Sequence, residues 1–174
     1  MKILSRTLAP VLGIVLLAAA TDAAALRKNV FISAMTPSQE TADPTVGSGN
    51  ASPSCLATFE LVARGTILNY VIRCYRITGV TAAHIHAPAS ADSDASPMVD
   101  LFSDSGTGPI NGELTRGSIV RGTDLSDADF AELIQLMRTD MAYVNVHTVV
   151  NPGGEVRGQV TGLALPAEYV VDIF

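Results

Sequence analysis

The chain has 174 residues, a net charge of −6 at neutral pH and no tryptophan. An acidic surface repels phosphates and no Lys/Arg cluster offsets it, so we expect no nucleic-acid partner. The length predicts one domain after removal of a leader, and such a domain can bury a core without a structural metal.

The amino terminus has the pattern of a secretory signal peptide. Lys2 and Arg6 give a positive start, and an apolar run with small residues follows them up to Ala20. We predict a signal peptide over residues 1–25 and a mature domain over 26–174. The run is shorter than the roughly 20 residues of a membrane span. The protein is therefore expected to be secreted, with no membrane span after cleavage; an uncleaved amino-terminal anchor is the alternative.

Most of the mature chain alternates apolar and polar residues between turns rich in Gly, Pro, Ser and Asn. This pattern predicts short β-strands and, with a single helix near 127–139, a mostly β fold: an antiparallel β-sandwich or a Greek-key barrel. The segment 111–120 holds one or two strands, since two glycines interrupt it. The predicted strands cover residues 30–33, 55–63, 67–78, 82–87, 98–102, 111–120, 141–149 and 155–162.

A long polar loop is predicted between the first two strands, over residues 36–54. Within it, Asn50-Ala51-Ser52 is a sequon for N-glycosylation. Pro53 follows directly, and the sequence leaves open whether a glycan is attached.

Two cysteines, Cys55 and Cys74, lie on the strands that flank this chain's first hairpin turn. The turn Arg64-Gly65-Thr66 lies midway between them, so folding there brings the two sulfurs within bonding reach. In an exported chain such a pair predicts a disulfide; two free buried thiols are the alternative.

All three histidines of the chain fall in two strand-like segments. His84 and His86 flank Ile85, and residues two apart on a strand share a face. His147 shares a face with Tyr143 and Asn145 on a later strand. If the two polar faces adjoin, three imidazoles converge, and neutral imidazoles with an open position suit copper or zinc. A network of hydrogen bonds without metal is the alternative.

Four aspartates near the paired histidines do not have the spacing of a calcium loop. We expect them to form a solvated acidic rim. They are Asp92, Asp94, Asp100 and Asp104.

The helix has a start signal at Ser126, with Asp129 three residues later. Apolar residues then recur at helical spacing and are expected to face the core. They are Phe130, Leu133, Ile134 and Met137.

The last hairpin allows a register prediction. Its inward valines are even-numbered on both strands, so opposed residues must sum to an even number. A three-residue turn at 151–153, with Gly153 at positive φ, satisfies this and sets His147 opposite Arg157. Arg157 would then line the site and disfavour protonation of His147; the alternative is that Arg157 pairs with Glu155 across the strands or with an acidic loop.

Taken together, these segments resemble the CHRD domain, a module repeated in chordin and found singly in many secreted microbial proteins. The resemblance rests on Phe31–Pro44, on Ala83-His84-Ile85-His86, on Tyr143–Thr148 and on Asn151–Gln159, and it spans residues 30–162. It implies an extracellular binding module with an unknown protein or ligand as partner. The cysteine-rich modules of chordin are missing here, so growth-factor antagonism is not implied.

The order His84, His86, His147 and Arg157 is also similar to that around the copper of copper–zinc superoxide dismutase. The bridging and zinc-loop histidines of that family have no counterpart here. Three functions are therefore carried forward: a binding module with a three-histidine metal site, a copper-dependent oxidoreductase acting on superoxide, and a structural extracellular or wall-associated protein. The role of residues 163–174 is left open.

Overall fold

The computed structural model describes residues 29–42 and 52–163. The predicted signal peptide, Asn50 and nearly all of the segment 163–174 lie outside these residues. In the part described, no helix is long and apolar enough to cross a membrane.

The described residues form two antiparallel sheets, which confirms the predicted β-sandwich. The strands are β1 Val30–Met35, β2 Ser54–Val62, β3 Ile67–Ile77, β4 Val80–His86, β5 Pro97–Ser103, β6 Ile110–Val120, β7 Tyr143–Thr148, β8 Val156–Gln159 and β9 Thr161–Leu163. One sheet has five strands in the order β6-β3-β2-β1-β9, and the other has four in the order β5-β4-β7-β8. A short 3-10 helix covers Pro37–Gln39, and helix α1 covers Asp127–Arg138.

The core lies between the sheets and under α1. Alternation along the strands points every second side chain inward, so Phe31, Phe59, Ile72, Ile85 and Val144 are fully buried. The apolar stripe of α1 packs onto the same cluster, as its helical spacing predicts. Ser126 caps the helix by accepting a hydrogen bond from the amide of Asp129 at 3.1 Å.

Cys55 and Cys74 are directly opposed across β2 and β3, and they form a disulfide. The hairpin turn at Gly65 sets this register, so the predicted pairing is confirmed. Residues 110–120 form one strand, β6, and not two, because the eleven-residue β3 pairs with it along its length through two register shifts.

The register of the last hairpin was predicted wrongly by two residues. Asn145, not His147, lies opposite Arg157. The parity rule held, and the valines on both strands are buried, but the turn is longer than three residues. The cause is Thr148, whose hydroxyl accepts from the amide of Asn151 at 3.0 Å and whose amide donates to the Asn151 carbonyl at 3.2 Å.

The positive φ in this turn was also placed one residue too early. It belongs to Gly154, at +136°, and not to Gly153. A side chain on Gly154 would in addition collide with the amide of Asn145 and the carboxylate of Glu40. Gly154 is therefore the position in this turn where glycine is required.

Candidate functional site

Strand pairing brings the three histidines together. β4 and β7 are hydrogen-bonded neighbours, with His84 opposite Asn145 and His86 opposite Tyr143. His147 lies opposite Ala82, diagonal to His84 on the same face. One donor nitrogen from each of the three rings lies within 4.8 Å of the others. The convergence expected from the alternation of two strands is present.

Backbone carbonyls fix the hydrogen positions on two of the rings. Nδ1 of His86 lies 2.9 Å from the carbonyl oxygen of Ala95, and Nδ1 of His147 lies 2.9 Å from that of Pro152. A carbonyl oxygen only accepts, so each Nδ1 donates its hydrogen there. In the neutral imidazoles, both Nε2 atoms are left with a lone pair.

The third ring completes the arrangement from the opposite side. Nδ1 of His84 lies 3.0 Å from Nε2 of His147, and because the latter has no hydrogen, Nδ1 of His84 donates to it in the protein without metal. Nε2 of His84 lies 3.5 Å from a carboxylate oxygen of Asp100. A shift of the His84 hydrogen to Nε2, towards this carboxylate, would free Nδ1 for an ion.

The site is covered although it lies on the outer face of its sheet. His86 is 7% exposed and Asn145 is 3% exposed. Among the described residues, Nε2 of His86 and Oδ1 of Asn145 are buried side-chain atoms without a hydrogen-bond partner. A cavity of about 360 Å³ adjoins both residues and reaches the turn at Gly154. Such orphaned acceptors next to open space fit a cation.

Burial favours the neutral form of two of the histidines, His86 and His147. It lowers the pKa of His86, and the charge on His84 acts in the same direction. Burial also lowers the pKa of His147, together with the two other histidines. Arg157 contributes at His86 and is not among the causes at His147, so its predicted effect falls on a different ring. Neutral imidazole is the form that binds metal.

Glu40 is a site residue that the sequence did not reveal. Its carboxylate accepts two hydrogen bonds from the amide of Asn145, at 2.9 and 3.0 Å. Burial raises its pKa to about 7, against the lowering effects of the Arg157 charge and the Asn145 hydrogen bond. Glu40 lies 105 residues before Asn145, in the predicted long loop, and no spacing in the sequence signals the contact.

The four aspartates of the expected acidic rim are all exposed, and two of them also have side-chain partners. Asp94 accepts a hydrogen bond from Arg157 at 2.9 Å and another from Thr41, and Asp100 lies beside His84. Arg157 is 1% exposed and does not project freely into the histidine cluster. Tyr143 stacks on the ring of His86, with centroids 4.7 Å apart and planes 5° apart. Tyr143 therefore lies against His86, and Arg157 lies on the Tyr143 ring and not beside His147.

The family model of the CHRD domain matches residues 31–160, which are 130 of the 174 residues of the chain. The match includes both histidine segments, both cysteines and the last hairpin. No curated protein and no solved structure matched the chain.

Proposed function

Because this chain belongs to the CHRD domain family, we propose that it works outside the cell as a binding module that holds one transition-metal ion on His84, His86 and His147. The disulfide Cys55–Cys74 supports an oxidising compartment, where such bonds persist. The metal part of the proposal rests on the geometry of the three rings.

The observation that carries it is the convergence of three ring nitrogens, two of which have no hydrogen. Nε2 of His86 and Nε2 of His147 are unprotonated because their Nδ1 atoms donate to backbone carbonyls, and Nδ1 of His84 would join them if its hydrogen moved to Nε2, which faces Asp100. Metal-ligating histidines characteristically donate the other ring hydrogen to a carboxylate or a carbonyl in this way. A four-coordinate ion with bonds of about 2.0–2.1 Å needs donors about 3.4 Å apart. The donors lie within 4.8 Å of one another, so an ion would have to draw them closer together.

Copper or zinc fits this donor set. Three neutral imidazoles suit both ions, and a given nitrogen site binds Cu²⁺ more tightly than Zn²⁺. The cysteines cannot supply a thiolate because they are paired with each other. We therefore expect copper to displace zinc from this site.

Catalysis on superoxide is the second candidate, favoured by the same three histidines. The position of Arg157 in the sequence suggested this function, but the contacts of Arg157 in the structure argue against it. The guanidinium is bound to Asp94 and to two backbone carbonyls, so it offers no free cation to an incoming anion. We propose binding without turnover, and superoxide consumption by copper-loaded protein that disappears in His147→Ala would reverse this choice.

The test is metal uptake by the mature protein, prepared without a histidine tag and stripped with a chelator. One equivalent of Cu²⁺ or Zn²⁺ should bind at pH 7.4 in a competition titration. His86→Ala and His147→Ala should abolish this binding, and Asp92→Ala, an exposed residue outside the cluster, should leave it unchanged. Binding should also weaken below about pH 6, where protons compete for the imidazoles.

Two outcomes would overturn the metal site. One is no uptake of either ion at neutral pH. The other is uptake that survives His86→Ala, since the chain has only three histidines and two cannot form this site. In both cases the histidines are a hydrogen-bonded network, and their replacement should only cost stability through unpaired buried groups. A binding module or a structural extracellular protein without metal would then remain.

A further inference from the structure

Arg157 is among the largest fully buried side chains of the described residues, and its guanidinium is hydrogen-bonded to three of them, all in one loop. Its guanidinium donates to the carboxylate of Asp94 at 2.9 Å, to the carbonyl of Ser90 at 3.1 Å and to that of Ser93 at 2.7 Å. The loop between β4 and β5 is thus held at three points by one planar fork. Lysine could not reproduce this geometry, because its ammonium is a single point charge.

The same loop supplies the acceptor for His86. Ala95 follows Asp94 directly, and its carbonyl oxygen accepts the Nδ1 hydrogen of His86 at 2.9 Å. The position of that carbonyl sets which nitrogen of His86 carries hydrogen. Arg157 therefore acts on His86 through the Ser90–Ala95 segment, because its anchor Asp94 is the residue next to Ala95.

A second connection runs through Tyr143. The Arg157 guanidinium lies over the Tyr143 ring at 3.7 Å, and His86 stacks on that ring with centroids 4.7 Å apart. His86, Tyr143 and Arg157 thus interact in series through ring contacts. A cation over the face of an aromatic ring is attracted to it, more strongly when the pair is shielded from solvent.

We propose that Arg157 is a positioning residue for the metal site: it holds the Ser90–Ala95 segment and Tyr143 so that His86 keeps its hydrogen on Nδ1 and presents Nε2 to the ion. This inference rests on the proposed function for its metal-binding consequence. It assigns Arg157 no contact with the ion or with a substrate. Residues that orient metal ligands in this way typically contribute 10- to 100-fold to metal affinity.

The test uses Arg157→Gln, with Arg121→Gln as a matched control. Arg121 is exposed and paired with Asp127 at 3.1 Å, away from the histidines. In the metal-free protein, ¹⁵N NMR should show the His86 hydrogen on Nδ1 in the wild type and in Arg121→Gln, and a mixture of tautomers in Arg157→Gln. Copper affinity should fall 10- to 100-fold in Arg157→Gln only. An unchanged tautomer with unchanged affinity would overturn the inference.

Arg157→Lys separates geometry from charge. If Arg157 acts by orienting the loop, Lys should behave like Gln in both measurements. If it acts only through its charge, Lys should restore wild-type behaviour, and the positioning role is then wrong.

Asp94→Asn decides the matter if Arg157→Gln does not fold. Asp94 is 65% exposed, and its replacement removes one of the three loop anchors of Arg157. We expect a several-fold loss of copper affinity and a partial shift of the His86 tautomer; no change in either overturns the inference. The tautomer is read without metal, so a wild type with Nδ1–H that binds no copper would fail the proposed function alone.

Discussion

On both sheets, every second side chain points outward, but the outward side chains differ in their exposure to solvent. On the five-stranded sheet, outward residues such as Arg73, Arg116 and Tyr75 are exposed to solvent. On the four-stranded sheet, the outward residues His86 and Asn145 are almost fully buried. The difference comes from the loops that cover the second face and supply its hydrogen-bond acceptors.

Covering a polar face with loops removes its polar atoms from water, and this costs free energy that a solvent-exposed face does not lose. Each buried polar atom must find a partner in the protein, and an unmatched one costs about 1–3 kcal/mol. Here the loops match most of them, through Glu40, Asp94, Ala95 and Pro152. Among the described residues they leave three buried side-chain atoms unmatched: Nε2 of His86, Oδ1 of Asn145 and Oε1 of Gln159. The first of these lies where the proposed ion would bind. The five-stranded sheet contributes stability, and the four-stranded sheet carries the site.

Removal of the disulfide should have the largest effect on stability, and it tests whether the two sheets have separate roles. Replacing Cys55 and Cys74 together with Ala should reduce the free energy of unfolding by about 3 kcal/mol, because the link closes a loop of 19 residues in the unfolded chain. Urea denaturation measures this change. Copper affinity should not change, since the disulfide lies in the other sheet. A loss of metal binding in the folded variant would show that the two sheets are coupled.

A pair of glycines gives the next largest effect. A Cβ on Gly158 would lie 2.5 Å from the backbone carbonyl oxygen of Ala34, where β8 passes close to β1. Gly158→Ala should therefore cost about 2 kcal/mol through overpacking against atoms that cannot move aside. Thermal or urea unfolding measures it.

Gly117 is the control on the five-stranded sheet. A Cβ there would also be too close to a neighbour, at 2.6 Å, but that neighbour is the hydroxyl end of Tyr70, a side chain that can rotate. Gly117→Ala should cost about 1 kcal/mol or less. Equal losses for the two variants would contradict the view that the contact atom, and not the distance, decides the cost.

A smaller effect is expected from Glu40, the carboxyl under the cover of the site. Its pKa of about 7 in the folded protein exceeds the usual value of 4.5, so the folded state binds the extra proton between these pH values. The free energy of unfolding should fall as pH rises through this window. Since Glu40 is only half-buried and solvent screens it, we expect about 1 kcal/mol.

Glu40→Gln isolates this contribution. His86 and His147 have lowered pKa values, so their effect has the opposite sign: stability is lost as pH falls below their unfolded value. The difference in unfolding free energy between the variant and the wild type cancels them. In metal-free buffer, the unfolding free energy of the variant relative to that of the wild type should increase from pH 5 to pH 8. A constant difference would mean that Glu40 titrates normally.

How far the sequence predicts this molecule depends on how local each feature is. The alternation of side chains along a strand predicts that His84 and His86 share a face. The short hairpin turn predicts that Cys55 pairs with Cys74. Both depend on neighbours along one strand or one hairpin. The last hairpin shows the limit, because parity fixed which residues face inward, while the side chain of Thr148 shifted the register by two.

The cover of the site could not be predicted in the same way. Asn145 meets Glu40 across 105 residues, and Arg157 meets Asp94 across 63. The acceptors at Ala95 and Pro152 are backbone atoms, which have no sequence signature. Such contacts follow from how loops pack over a finished sheet, so Arg157 was recognised as a site residue but placed beside the wrong histidine.

The smallest effect is expected on the open face, at Glu113. Its carboxylate pairs with Arg116 and lies 3.7 Å from Arg73, and the hydrogen bond from Arg116 lowers its pKa. A lowered pKa means that any stabilisation is present above the usual range and is lost in acid. Both partners of this pair are in solvent, and salt screens such pairs, so Glu113→Gln should leave the urea midpoint unchanged at pH 7. Asp94→Asn, whose partner Arg157 is buried, should lower that midpoint measurably under the same conditions. Equal shifts for these two acid-to-amide changes would mean that the cover of the four-stranded sheet does not strengthen its ion pair.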